Sequence, residues 1–273
     1  MPGCSLSCGK VSKARPGLRE AFTLQLTWEK DYSLRVYEVG FDGHVSLPNL
    51  MNFLQDAAIE HAAHLGAGFS QLAPRNLAWF VTRYHVRVTR YPVYGETIRV
   101  KTWPKAKKRL FAIRGFEMYS GNEPIAAGST AWCLVDLASK SPLNVNTALP
   151  NLPENPRDAL ATVFPRIPLP QSPSHAETFS PGISEIDMNG HVNNTALINR
   201  AMECLPHTRF KDHTISEMVT FFKHEIGLGQ SILSQASIEH IGNPLESLHC
   251  LAIKGSETEV LRMKLIWEKR KLR

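Results

Sequence analysis

Two stretches of this chain decide its fold: Glu38-Val-Gly-Phe-Asp-Gly-His-Val-Ser46 and Glu185-Ile-Asp-Met-Asn-Gly-His-Val-Asn193. They stand 147 residues apart, share Glu, Gly, His and Val, and match Val to Ile and Asp to Asn. Repetition at one fixed distance predicts two copies of one structural unit. Outward from the first copy, Leu50, Met51, Phe53, Leu54, Ala57, Ala58, Ala62 and Leu65 recur at helical spacing. Ser46 is placed as the N-cap, Pro48 lies in the first turn, and Gly66 is the stop. After the second copy, Asn193 or Asn194 can cap a helix carrying Ala196, Leu197, Ile198, Ala201, Met202 and Leu205, ended by Pro206. Both copies therefore read as a short turn feeding a buried helix.

Beyond each helix the apolar period falls to 2. Trp79–Val88, Thr97–Trp103, Leu110–Tyr119 and Ile125–Leu137 read as strands in the first half. Glu217–Phe222, Ser231–His240, Leu248–Lys254 and Val260–Lys269 repeat them in the second, with turns at Gly227-Leu-Gly229-Gln and Gly242-Asn-Pro244. A helix followed by antiparallel strands makes each half α+β, its helix buried by a sheet curling around it. Between the halves, Pro150 to Pro173 holds seven prolines and suits a semi-rigid linker. The expected organisation is a loose basic arm over 1–21, a first repeat over 22–149, the linker over 150–176 and a second repeat over 177–273.

With 273 residues, 43% apolar and 21% charged, the composition excludes disorder and fibrous classes. The apolar runs are far shorter than the roughly 20 residues of a membrane span, and the start has no apolar signal segment. A cytoplasmic location is expected, with plastid stroma as the alternative. Five scattered cysteines with no C-x-x-C pair argue against a disulfide framework and against zinc. His61/His64 and His207/His213 each lack a clear third ligand, so no metal is expected. The net charge is +6, bunched at Lys105, Lys107, Lys108 and Arg109 and at Lys269–Arg273, with a looser set at Lys10, Lys13, Arg15 and Arg19. No nucleic-acid recognition fingerprint accompanies these clusters, so an acidic protein is the favoured partner.

Chemistry is concentrated in Asp187-Met-Asn189-Gly-His191-Val-Asn193-Asn194. In an extended approach to the helix, alternation would turn Asp187, Asn189 and His191 to one side. The first copy has Gly40 and Asp42 in place of Asp187 and Asn189 and keeps only His44, which assigns chemistry to the second half and binding to the first. Glu225, at the end of a half-buried strand, is the second candidate, because an acid there needs a partner such as His191.

These residues, with Trp79-Phe-Val-Thr-Arg83, Arg90-Tyr-Pro92, Gly95-Glu96 and Trp132, resemble the acyl-acyl-carrier-protein thioesterases, over about Trp28 to Trp267. The resemblance implies a double-hotdog fold, two antiparallel sheets each wrapped around a long helix. It implies an acyl chain held by the first half and a catalytic network of Asp187, Asn189, His191 and Glu225. Plant members have a cysteine directly after the glutamate; here Ile226 stands there, which argues against a thiol nucleophile, with Cys204 left as the one alternative. The activity implied is hydrolysis of fatty acyl thioesters on acyl carrier protein, with no cofactor. The alternatives are an acyl-coenzyme A thioesterase of the same fold and a non-catalytic acyl-binding protein.

A thioester needs a nucleophile, oxyanion donors and an acid for its thiol. Water activated by Glu225 and His191, with Asn189 positioning and Asp187 orienting, is one mechanism; direct attack by Asp187 through a mixed anhydride is the other. Met51, Phe53, Leu54, Ala58, Trp79 and Val81 are the candidate acyl contacts, each also suited to plain core. Lys105, Lys107, Lys108 and Arg109 are expected to serve the carrier more than coenzyme A. A homodimer is left open.

Overall fold

The computed structural model describes residues 26–161, 164–240 and 244–270. The expected arm over 1–21, Cys4, Cys8, the centre of the Gly242 turn and the last three residues lie outside them.

The first half runs β1 (Trp28–Ser33), α1 (Leu47–His64), a one-turn α2 (Phe69–Leu72), β2 (Leu77–Val88), β3 (Thr97–Lys108), β4 (Phe111–Ser120), β5 (Glu123–Asp136), a two-residue β6 (Ser141–Pro142) and α3 (Val145–Ala148). The second runs β7 (His175–Phe179), α4 (Asn194–Glu203), α5 (Thr208–Asp212), β8 (His213–Phe222), β9 (Ile232–His240), β10 (Leu245–Ile253) and β11 (Glu259–Lys269). Ser46 caps α1 through Asn49 N–H, with Pro48 in its first turn, and Asn193 rather than Asn194 caps α4 through Thr195 N–H. The two edge strands, β1 and β7, are absent from the sequence reading. Trp28-Glu-Lys-Asp-Tyr-Ser33 and His175-Ala-Glu-Thr-Phe179 are short and polar, the composition that protects an open sheet edge and hides a strand from a hydrophobic pattern.

The double-hotdog architecture appears with two differences of detail. The two sheets are joined edge to edge into one 11-stranded sheet, ordered β1-β3-β4-β5-β2-β8-β11-β10-β9-β7 with β6 on β5. The seam is the antiparallel β2–β8 pair, from Arg83 opposite Phe221 to Arg87 opposite Glu217. The helices are also unequal, 18 residues in α1 against 10 in α4, because Pro206 closes the second early. One core fills both halves. Leu50, Met51, Leu54 and Ala57 of α1, Leu197, Ile198 and Ala201 of α4, and inward residues such as Tyr84, Val86, Met218 and Leu265 are buried together in it.

The proline-rich stretch lies flat as a strap on the other face of the sheet. Trp103 Nε1 donates to Arg157 O at 2.9 Å, Asn155 N to Pro104 O at 2.7 Å, and Arg262 to Ile167 O at 3.0 Å. Ile167 is fully buried against Val219 and Leu248. Proline withholds N–H groups that a packed strap would otherwise leave unpaired.

Candidate active site

Asp187, Asn189 and His191 come together through a turn, not the extended approach that the alternation suggested. Ile186 bridges Val192, Asp187 N donates to His191 O at 2.8 Å, and Gly190 N donates to Asp187 O at 3.0 Å. Gly190 takes φ +80°, a left-handed conformation open to glycine at little cost. The Asp187 carboxylate organises this reversal: Oδ1 accepts Asn189 N–H at 2.8 Å and His191 N–H at 3.3 Å, and Oδ2 lies 3.4 Å from the Asn189 amide nitrogen. An aspartate bonding the backbone two residues on is the common locking device of such turns.

Glu225 reaches this turn from the loop after β8. Val192 N donates to Ile226 O at 2.7 Å and His191 bridges Gly227, so turn and loop are stitched through their backbones. This brings Glu225 Oε2 to 3.4 Å from His191 Nε2, with side chains 46% and 37% exposed, a pair standing at the surface rather than deep in the core. Since β2 and β8 are antiparallel, the chain running from Phe221 to Glu225 heads for the end of β2 that carries Trp79 and Val81. Ile226 is fully buried. Cys204 is buried too, its thiol 3.5 Å from Ser234 O and pushed up in pKa by burial, an environment that disfavours a thiolate nucleophile.

Three features of the site escaped the sequence reading. Glu185 forms a two-pronged pair with Arg200 of α4, at 2.8 and 3.1 Å, and accepts Gly182 N–H, so the entry to the turn is clamped to the helix it feeds. The Arg200 guanidinium, ahead of burial, holds Glu185 below the usual carboxylate range. Gln230 Oε1 accepts Gly227 N–H at 2.8 Å and closes the loop behind Glu225. Glu96 does the same for Val93 N–H at 3.3 Å in the first half, where His44 bridges Val93. That correspondence puts Tyr91 in the place of Glu225. The turn residues Tyr94-Gly95-Glu96 and Leu228-Gly229-Gln230 carried the signal, since both glycines have positive φ, +91° and +85°.

Met51, Phe53, Leu54, Ala58 and Val81 stand buried in the main core. Trp79 packs instead with Leu72, Leu77 and Leu134 in a smaller cluster and donates Nε1 to Ala67 O at 2.9 Å. The basic cluster is divided. Lys105 pairs with Asp158 of the strap, and Lys107 donates to Pro150 O at 3.0 Å beside Glu154, leaving Lys108 and Arg109 as its exposed cations.

Family models for the N-terminal and C-terminal domains of acyl-ACP thioesterases match residues 25–150 and 170–269. A dodecanoyl-[acyl-carrier-protein] hydrolase of Cinnamomum camphora, described as chloroplastic, is 30% identical over 89% of this chain and 68% of its own. A chloroplastic palmitoyl-acyl carrier protein thioesterase of Gossypium hirsutum is 29% identical over 78% of this chain, which spans about half (55%) of that relative's length. In fold, the chain is similar to the 12:0-ACP thioesterase of Umbellularia californica, with TM-score 0.81, 24% identity and coverage of 90% and 95% of the two chains. An acyl-ACP thioesterase of Bacteroides thetaiotaomicron gives 0.80, 22%, 89% and 98%. No helix among the described residues is long and apolar enough to cross a membrane. With a family model matched on each half and a relative 30% identical over 89% of this chain and 68% of its own, the chain belongs to the acyl-ACP thioesterase family.

Proposed function

We propose that the chain hydrolyses fatty acyl thioesters of acyl carrier protein, releasing the free fatty acid, with water as the nucleophile and Glu225 and His191 as its activating pair. The observation that carries this reading is the approach of His191 Nε2 to Glu225 Oε2, 3.4 Å apart at an exposed surface of the second half. Water held beside the pair loses its proton to Glu225 or His191 as its oxygen attacks the thioester carbonyl carbon. The carbon–sulfur bond then breaks and the departing thiolate takes that proton, a modest demand because thiols are acidic. The N-terminus of α4, directly after the turn, offers N–H groups and positive dipole to the oxyanion.

The hydrogen bonds of Asp187 favour orientation over attack. Oδ1 is occupied by two backbone N–H groups of its own turn, and a carboxylate held this way is a weaker nucleophile. Asn189, exposed beside it with its amide nitrogen 3.4 Å from Asp187 Oδ2, can turn its amide to water or the thioester carbonyl. Met51, Phe53, Leu54, Ala58, Trp79 and Val81 are the acyl contacts we assign to the first half, all but Trp79 lying in the main core. Each methylene they bury contributes about 0.8 kcal/mol.

The decisive test is single-turnover hydrolysis of a panel of carrier thioesters in heavy-oxygen water. The water mechanism puts label in the released fatty acid alone; label in the Asp187 carboxylate identifies the mixed anhydride. The same acyl chains on coenzyme A, compared by kcat/KM, decide between carrier and coenzyme A as the natural thiol.

A further inference from the structure

Three exposed apolar side chains stand on the backbone segments that carry and meet His191 and Glu225. Met188, at the tip of the turn between Asp187 and Asn189, is 82% exposed, Ile183 just ahead of it 76%, and Leu228, after the loop that meets His191, 57%. Isolated exposed apolar residues are ordinary, but a cluster fixed on rigid backbone around a reactive pair marks a contact surface. Hydrogen bonds tie this backbone down. The Glu185–Arg200 clamp holds the Ile183 segment, the Ser180 and Ser231 hydroxyls meet at 3.1 Å, and Gln230 ties Gly227. An exposed cation, Lys254, flanks the patch, placed there by its backbone N–H on Ser231 O at 2.9 Å. Lys223, closer to Glu225 along the chain, is paired with Glu259 at 2.6 Å.

We propose that Ile183, Met188 and Leu228, flanked by Lys254, form the surface on which the body of an acidic carrier protein sits while its prosthetic arm delivers the thioester to His191 and Glu225. The inference rests on the functional reading above and names where its partner docks. Two observations choose this occupant. The reactive pair is at the surface, so a thioester tethered to a protein brings that protein against the turn itself. An apolar centre with a basic edge also fits an acidic partner, the centre excluding water and the edge steering approach. The first-half twin supplies an internal control. Val36, Phe41 and Tyr94 occupy the matching positions and are as exposed, but they surround a turn whose place for the glutamate is filled by Tyr91.

The experiment measures kcat/KM for one acyl chain on the carrier and on N-acetylcysteamine, and reads the ratio of the two. Hydrolysis of the small thioester reports a folded, working site, so a variant that fails to fold is recognised by losing both activities. With Leu228→Asp or Ile183→Asp the ratio should fall at least tenfold, chiefly through KM for the carrier substrate. Lys254→Glu should lower it severalfold, and more at low salt than at high salt. Phe41→Asp in the twin should leave it within twofold. A ratio unchanged in both Leu228→Asp and Ile183→Asp, or lowered equally by Phe41→Asp, overturns the docking surface and leaves the hydrolase reading intact. A wild-type protein with no preference for the carrier thioester overturns both together.

Discussion

His44 and His191 stand on equivalent turns of the two halves, yet the first turn has its Asp42 carboxylate paired with Arg270 while the second sets its histidine against Glu225. In both turns the residue four before the histidine donates to its carbonyl at 2.8 Å, and the glycine before the histidine has positive φ, +74° and +80°. In both, a neighbouring loop bridges the turn and is closed by a side chain, Glu96 or Gln230, accepting a backbone N–H. The difference lies in three side chains. Gly40 and Asp42 replace Asp187 and Asn189, and Tyr91 stands where Glu225 would be, its hydroxyl spent on Ile215 O at 2.9 Å. Asp42 meets no substrate-ready surface, because Arg270 at the end of β11 pairs with it. The shared backbone hydrogen bonds are the condition for the turn; the chemistry depends on the few side chains left facing outward from it.

Removing the matching histidines separates the two turns most strongly. His191→Ala, and separately Glu225→Gln, should lower kcat on a carrier thioester by about 10³-fold, the usual worth of a positioned acid–base group. His44→Ala should leave it within about twofold. Thiol release under saturating substrate measures both, and comparable losses at the two histidines would show that the first-half turn is no silent relic.

Legibility in the sequence followed the physics of each region. The repeat, both buried helices and eight of the strands were readable because burial on one face forces apolar periodicity, as in Leu50-Met51-Phe53-Leu54 and in Val86-Arg87-Val88. The edge strands β1 and β7 were not, since an edge is kept polar for the reason that makes it hard to recognise. The strap was read as a spacer because its binding to the sheet is carried by backbone groups, such as Arg157 O and Ile167 O, which composition does not reveal. The sequence singles out Asp187, Asn189, His191 and Glu225, and the structure places them on one turn and the loop that meets it. The reason they converge is a turn closed by hydrogen bonds, and Arg200, Gln230 and Arg270 act on it from positions that show no pattern along the chain.

A second contrast lies beneath the helices. Under α1, Arg114 donates to His61 Nδ1 at 3.0 Å and to Thr102 Oγ1 at 3.2 Å, and burial pulls its pKa down to about 10, leaving it charged at neutral pH. Under α4 the buried group is His249, whose Nδ1 lies 2.8 Å from Ala201 O and Nε2 2.9 Å from Ser247 Oγ, which in turn accepts Trp267 Nε1–H at 2.8 Å. Burial, opposed only in part by the bond to Ala201 O, pushes its pKa down to about 4. The unfolded chain takes up this proton below about pH 6.5 and the folded chain only near 4, so acid favours unfolding across that window. His249→Phe should cost about 2 kcal/mol at pH 7, where it leaves Ser247 and the Ala201 carbonyl short of a partner. By pH 4.5 the wild type has lost comparable stability to proton uptake, so the two proteins should converge. Urea unfolding at the two pH values measures the convergence, and a difference that stays constant would assign His249 no titrating role.

The smallest effect tests the seal over the first-half turn. Asp42 lies under opposing influences: burial raises its pKa, while the His44 N–H and the Arg270 guanidinium lower it further, holding it below the usual carboxylate range. A depressed folded pKa contributes stability above the unfolded value near 3.9, and that stability is lost as pH falls through the folded one. Arg270→Met should therefore cost about 1 kcal/mol at pH 7, the scale of a solvent-screened pair. The cost should fade below about pH 4, as Asp42 takes up a proton in both proteins. Because Arg270 also bonds Phe210 O and His213 O at 3.2 Å, a residual loss at low pH measures its share in holding α5 to β8. If the pair matters only as a seal, Arg270→Met leaves carrier thioester hydrolysis unchanged, since the proposed catalytic turn lies in the other half; a fall in kcat would mean that the two turns are coupled across the β2–β8 seam.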